Sequence, residues 1–292
     1  MPLRLAPTFR AALAAPAGSS ADEEGVPRSS GRPLAGIWVC SGSPLVAEIC
    51  AGAGLDWMLI DMEHSPNGLE SVLAQLQAVA AYPVIPVVRV PIGDVVTIKQ
   101  VLDLGAQNLL VPMVSSRADA EAAVAAVRYP PRGTRGVGSA LARSARWNRV
   151  DDYLQDADAH VSLFVQIETA AGVEAAADIA AVDGVDGVFV GPSDLAASMG
   201  LLGQQTHPDV VAAALRAFEA VRAAGKPAGV NAFDPVAADA YLEAGASFIL
   251  VGADVALLAR GSEALAARFV GPASAGSAAE RAMPESSERP SY

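Results

Sequence analysis

The chain has 292 residues, 52% of them hydrophobic, with a formal net charge of −12 and a pI near 4.6. That length supports one large core or two small ones, and an acid excess with no Lys/Arg cluster argues against nucleic acid or an anionic membrane as partner. No apolar run approaches the ~20 residues that span a bilayer. Cys40 and Cys50 are the only cysteines and lack a metal-type spacing, so they read as reduced thiols of a cytoplasmic protein.

In chain order, residues 1–33 are rich in Ala, Pro, Ser and Gly around Asp22-Glu23-Glu24 and read as a mostly disordered tail. "MPLRLAPTFRAALAA" lacks a continuous apolar stretch, so a short helix is favoured there over a targeting peptide. From residue 34 the chain alternates. Strands are predicted over 34–40, 56–61, 84–90, 108–114, 162–168, 187–192, 227–232 and 248–254. Most are near-continuous apolar runs, as in parallel strands covered on both faces. Ala-rich helical runs lie between them at 44–54, 68–81, 95–106, 117–129 and 209–225, and Gly54, Gly105, Gly225 and Gly245 mark helix ends. Eight strands with helices between them predict a (β/α)8 TIM barrel over 34–270, followed by a second disordered tail over 271–292. A doubly wound open sheet is the second choice, disfavoured because no GxGxxG follows the first strand.

In such a barrel the C-terminal strand ends form the reactive face. The polar residues at those ends are Trp38, Asp61-Glu63-His64, Arg89, Gln166-Glu168, Ser193-Asp194, Asn231 and Asp254. Glu168 and Asp194, on consecutive strand ends, suit a hard divalent cation whose other positions go to water and a 2-oxo acid. Alternatively each carboxylate caps the helix that follows. Arg89 closes an apolar run and needs an anion, either a ligand or a structural carboxylate. His64 lies three residues after Asp61, close enough for the carboxylate to orient the imidazole as a general acid/base; a surface histidine is the plain alternative. "GPSD" and "VGAD" hint weakly at a phosphate pocket. Neither Lys99 nor Lys226 falls at a strand's C-terminal end, which disfavours a Schiff-base mechanism.

The runs "AGAGLDWMLIDMEHSPN", "PVVRVP", "IKQVLDLGAQNLLVPMV", "RYPPRGTRGVGSALARSARWNR", "VQIET", "VDGVFVGPSDLAASMG" and "YLEAGASFILVGAD" resemble the metal-dependent class II pyruvate aldolases over about residues 34–270. "FRAALAA" is similar to that family's first helix, which makes 16–31 an insertion. The resemblance implies a phosphoenolpyruvate/pyruvate-type barrel, a homohexamer that exchanges C-terminal helices, and a divalent metal: Mg²⁺, Mn²⁺ or Co²⁺. The implied reaction is reversible cleavage of a 4-hydroxy-2-oxo acid to pyruvate and an aldehyde. The nearest members act in aromatic catabolism, on a heptanedioate that yields succinic semialdehyde. By the same resemblance Glu168 and Asp194 are the metal ligands, and Gln166 with the Pro192-Ser193-Asp194 backbone forms the pyruvate pocket. Arg89 stands beside the pyruvate C2 oxygen, His64 oriented by Asp61 serves the C4 hydroxyl, and Trp38 walls the pocket. Asn231 departs from the pattern, standing where an apolar contact to the aldehyde tail is expected. Other readings are a lyase for a 2-oxo-3-deoxy sugar acid, an oxaloacetate decarboxylase, or a non-catalytic metabolite-binding barrel.

Overall fold

The computed structural model describes residues 3–15 and 32–270. Eight parallel strands close into one barrel in chain order: β1 Leu34–Val39, β2 Trp57–Asp61, β3 Ile85–Arg89, β4 Asn108–Val111, β5 Ser162–Ile167, β6 Gly187–Val190, β7 Ala228–Asn231 and β8 Phe248–Ala253. β1 pairs with both β2 and β8, so the sheet has no open edge and the doubly wound alternative is excluded. All eight predicted strands exist, several shorter than expected. The fourth stops at Val111 because Met113 adopts φ 58°, and the sixth stops at Val190 because Pro192 opens the next helix. Gly54, Gly105, Gly225 and Gly245 all have positive φ, the left-handed state that ends a helix without a Cβ clash.

The strand period of two decides what faces the barrel axis. Along β2 the inward residues are Trp57 and Leu59, along β3 Ile85 and Val87; Leu34, Leu110, Phe164, Phe189, Phe248 and Leu250 join them from the other strands in this inner cluster. Glycines at Gly36, Gly187 and Gly229 make room for it, since a Cβ there would run into Trp57, Phe164 and Phe248 respectively. The second core, aliphatic and larger, lies between the sheet and the surrounding helices. Continuing each inward series by one step gives Asp61, Arg89 and Gln166. The barrel interior therefore changes from aromatic to charged along its axis, and the site follows from strand register.

At the N-terminal end the barrel is closed by the helix Phe9–Leu13. The Phe9 ring stands 5.1 Å from both Trp57 and Phe164 and 5.3 Å from Phe248, and its N–H donates to Asn108 Oδ1 at 2.7 Å. Burial of that ring contributes about 2 kcal/mol. Part of the stretch read as a loose tail is thus the barrel's floor. A single phenylalanine in an Ala/Pro-rich segment is too small a compositional signal to reveal it. Segments 16–31 and 271–292, also read as disordered, lie outside the described residues.

Candidate active site

Asp61 and Arg89 are register partners on β2 and β3. Arg89 Nε and Nη2 donate to the two Asp61 oxygens, both at 2.8 Å, with each side chain 2% exposed or less. Glu63 adds a second carboxylate, its Oε2 2.8 Å from Arg89 Nη1. Trp38 covers the guanidinium face, 4.6 Å from ring centroid to Cζ. Burial raises the carboxyl of Asp61, but Arg89 and the N–H groups of Glu63 and His64 outweigh it and hold the group below the ordinary carboxylate range. Ser65 Oγ and Asn67 Nδ2 donate to the Asp61 carbonyl, folding the 61–67 loop over the pair.

This changes the expected role of Asp61. Its oxygens accept from Arg89 and from the backbone N–H groups of Glu63, at 3.0 Å, and His64, at 3.2 Å. The carboxylate fixes where His64 sits through the main chain. The imidazole is exposed and has no hydrogen bond among the described residues. Nearness in sequence suggested an Asp61–imidazole contact. The buried guanidinium across the register is the stronger claimant, because an unpaired charge there is far costlier than an unpaired exposed ring.

Glu168 follows β5 and is 2% exposed. Its Oε1 accepts the Met113 N–H at 2.6 Å and its Oε2 accepts Gln166 Nε2 at 2.5 Å. Met113 is exposed and left-handed, a conformation that costs about 1 kcal/mol and here aims its N–H at the carboxylate. A Cβ on Gly191 would come within 2.9 Å of Gln166 Nε2 and 3.0 Å of Glu168 Oε2, so only glycine leaves these groups their space. Burial pushes Glu168 up to about 7, reinforced by the charges of Glu63 and Asp194 and opposed by Met113 and Gln166. Asp194 lies in the first turn of the helix Pro192–Ser198, whose N-cap is Gly191. Its carboxylate is exposed and makes no capping bond, so Asp194 is not the N-cap, although as an acid in the first turn it still favours the helix dipole.

Trp38, Asp61, His64, Arg89, Gln166, Pro192, Ser193, Asp194 and Asn231 all line one cavity of about 510 Å³ at the C-terminal ends of the strands. Glu168 lies just beneath, bonded to Gln166. No group of three or more His, Cys, Asp or Glu among the described residues forms a closed metal cluster. What exists is an open pair, Glu168 and Asp194, with Glu63 close enough to act on Glu168 electrostatically. Gln166 Oε1 and Trp38 Nε1 are buried without a partner among the described residues. Crowded carboxylates and the orphaned Gln166 oxygen suit a hard divalent cation whose remaining positions water and substrate fill, while the Trp38 N–H, a donor only, suits an acceptor oxygen.

Other residues sort clearly. Glu63 was visible as a strand-end acid, but nothing in its neighbours in sequence ties it to Arg89. Asp254 accepts the N–H groups of Cys40 and Ser41 at 2.8 and 3.0 Å and so holds the β1 loop. Cys40 and Cys50 are free thiols, and Cys40, on the cavity wall, is pushed up to about 12 by burial and by Asp61 and Asp254, which keeps it protonated. Lys226 Nζ donates to the Val185 carbonyl at 2.7 Å and Lys99 packs beside Gly136; neither reaches the cavity.

Residues 34–261 match the model of the HpcH/HpaI aldolase/citrate lyase family. The chain belongs to that family. A 4-hydroxy-2-oxo-heptane-1,7-dioate aldolase from Salmonella dublin is 55% identical over 240 residues, which cover 82% of this chain and 91% of the relative. Among solved structures, an HpcH/HpaI aldolase/citrate lyase family protein from Burkholderia cenocepacia J2315 superimposes with a TM-score of 0.78 at 44% identity, covering 82% of this chain and 95% of that one. The citrate synthase SbnG follows with a TM-score of 0.73 at 30% identity, covering 82% and 94%. HpcH/HpaI membership and the 55% relative make this chain a carbon–carbon lyase acting on small molecules. Among the described residues no helix is long and apolar enough to cross a membrane.

Proposed function

We propose that this chain is a divalent-metal-dependent aldolase that reversibly cleaves a 4-hydroxy-2-oxo acid to pyruvate and an aldehyde. The relative from Salmonella dublin is named for 4-hydroxy-2-oxo-heptane-1,7-dioate, which supports that acid as the substrate here; breaking its C3–C4 bond leaves succinic semialdehyde beside pyruvate, and the setting proposed is aromatic catabolism. The observation that carries the reading is the convergence of Arg89, Gln166, Asp194 and His64 on one cavity directly above buried Glu168.

Glu168 and Asp194 would hold the cation, Mg²⁺, Mn²⁺ or Co²⁺, which when bound would supply Lewis-acid stabilisation of the charge that develops on the pyruvate unit. Gln166 and the N–H groups of Ser193 and Asp194, free in the first helical turn, orient the pyruvate carboxylate. Arg89 donates to the oxygen on C2 where negative charge develops as the C3–C4 bond breaks. Asp61, Glu63 and Trp38 hold that guanidinium on three sides, so it needs little reorganisation during the reaction. His64 takes the C4 hydroxyl proton in cleavage and returns it in addition. Asn231 contacts the aldehyde tail.

The assembly proposed is a cytoplasmic homohexamer with exchanged C-terminal helices. In its support, the helix Asp254–Phe269 buries only Asp254 and leaves Leu257, Leu258, Leu265 and Phe269 at least 60% exposed. The chemistry is tested by following pyruvate release from 4-hydroxy-2-oxoheptanedioate, a 2-oxo-3-deoxy sugar acid and oxaloacetate side by side. The heptanedioate should give the highest kcat/KM. Preference for either other acid would move the chain to a different lyase reaction, and no release from any would leave a binding protein.

A further inference from the structure

Outside the catalytic cavity, Arg143 and Arg146 form a close pair of cations with no carboxylate partner among the described residues. Arg143 and Arg146 lie between the helix Arg117–Val127 and β5, against the turn Leu104–Gly105 that leads into β4. A turn that precedes a strand is at the N-terminal face, so the pair sits at the opposite end of the barrel from the cavity. A Cβ on Gly105 would stand 2.7 Å from Arg143 Nη1 and 3.0 Å from Arg146 Nη1. The two cations are therefore within about 6 Å of each other, a repulsive spacing unless an anion intervenes.

Arg143 Nη1 donates to the Leu104 carbonyl at 3.0 Å, which caps the end of the helix Val95–Asp103. Arg146 Nη1 donates to the Arg143 carbonyl at 2.5 Å. Each bond uses one of the five donors of a guanidinium. A helix cap accounts for one arginine and leaves the second unexplained. No carboxylate of the described residues pairs with either; the neighbouring Asp103 faces Arg135 instead, at 3.5 Å. Burial lowers both guanidinium groups from their ordinary range, and in Arg143 the charge of Arg146 lowers it further. The backbone that presents them is unusual. Arg146, Trp147 and Asn148 are consecutive left-handed residues at φ 49°, 54° and 59°, a strained run of non-glycine positions.

We propose that Arg143 and Arg146 form a binding site for a small doubly charged oxyanion, of phosphate or dicarboxylate type, on the face of the barrel opposite the catalytic cavity. Two planar forks with free N–H groups match two oxygens at once, which a pair of lysines would not do.

The test titrates the full-length protein with inorganic phosphate and, separately, with succinate, by calorimetry against sodium chloride of equal ionic strength. At least one anion should bind saturably, and Arg143→Gln or Arg146→Gln should weaken it tenfold or more. Metal-dependent proton exchange at pyruvate C3, read without added anion, should be unchanged in both variants. The choice between phosphate and succinate identifies which kind of oxyanion the site prefers. Absence of saturable binding by either would overturn the proposal, as would the same affinity in the variants, which would put the anion in the catalytic cavity. If wild type binds neither anion and Arg146→Gln dissociates the oligomer in light scattering, the counter-ion is a carboxylate of another copy and the small-molecule site is wrong. Should the glutamine variants not fold, Arg146→Lys keeps the charge and loses the fork. It should bind several-fold more weakly, and undiminished affinity would refute the site.

Discussion

Replacing Asp61 by Asn tests whether the carboxylate at the end of β2 is a structural and electrostatic anchor for Arg89. The pair is enclosed, with side chains 1% and 2% exposed. Removing one member of a buried ion pair commonly costs about 3–5 kcal/mol, because the other charge stays desolvated. Asparagine keeps one acceptor oxygen, and Glu63 remains 2.8 Å from Nη1, so the lower end applies, about 3 kcal/mol. The new amide must also point its donors at Arg89 or at the His64 N–H, donor against donor. For a domain of this size the loss corresponds to a fall in Tm of roughly 6–12 °C. The assay is urea unfolding of wild type and Asp61→Asn across pH. Asp61 is held below its ordinary range in the folded chain, so its contribution is complete above about pH 4 and disappears as pH falls through the folded value. The two proteins should therefore differ most at pH 7 and converge in acid. A difference below about 1 kcal/mol at pH 7, or one that does not shrink in acid, would refute the anchoring role.

Two further outcomes follow from neighbouring groups. His64→Ala should leave stability unchanged, because the exposed imidazole holds no hydrogen bond among the described residues, yet lower aldol cleavage by ~10²-fold or more. It should retain most of the proton exchange at pyruvate C3, seen by NMR in deuterated water; equal losses would assign His64 to enolisation instead. Glu168 works in the opposite sense to Asp61, since its folded value, about 7, lies above the ordinary 4.5. Between these values the folded metal-free chain binds more protons than the unfolded one, so raising the pH from about 5 to 8 should cost roughly 3 kcal/mol of stability that Glu168→Gln does not lose. A flat wild-type profile across that window would contradict the crowding of carboxylates.

Much of the barrel and its reactive end was legible in the sequence because both obey the strand period. The series Trp57-Leu59-Asp61 and Ile85-Val87-Arg89 identify buried strands, and by the same alternation place the last member of each inside the barrel mouth. What escaped depends on contacts between strands. Nearness along the chain points Asp61 at His64, whereas the register sets it beside Arg89. Glu63 sits in a loop with no periodic signal and gains its place only from the guanidinium across that same register. The left-handed Met113 was equally hidden, since methionine carries no preference for that conformation and only the carboxylate waiting for its N–H accounts for it. Phe9 is meaningful only once Trp57, Phe164 and Phe248 have formed the floor it packs against.

Metal-dependent carbon–carbon cleavage in the cavity above Glu168 is tested most directly by pyruvate release from 4-hydroxy-2-oxoheptanedioate after verified removal of metal, followed by addition of Mg²⁺, Mn²⁺ or Co²⁺. Stripped wild type should be inactive and should recover with at least one of the three ions. Folded Glu168→Ala should stay down by ~10²-fold or more at every concentration of ion, because it has lost a charged ligand of an open site. Full activity of the stripped wild type, or wild-type recovery by Glu168→Ala, would show that the cleavage does not run through this site.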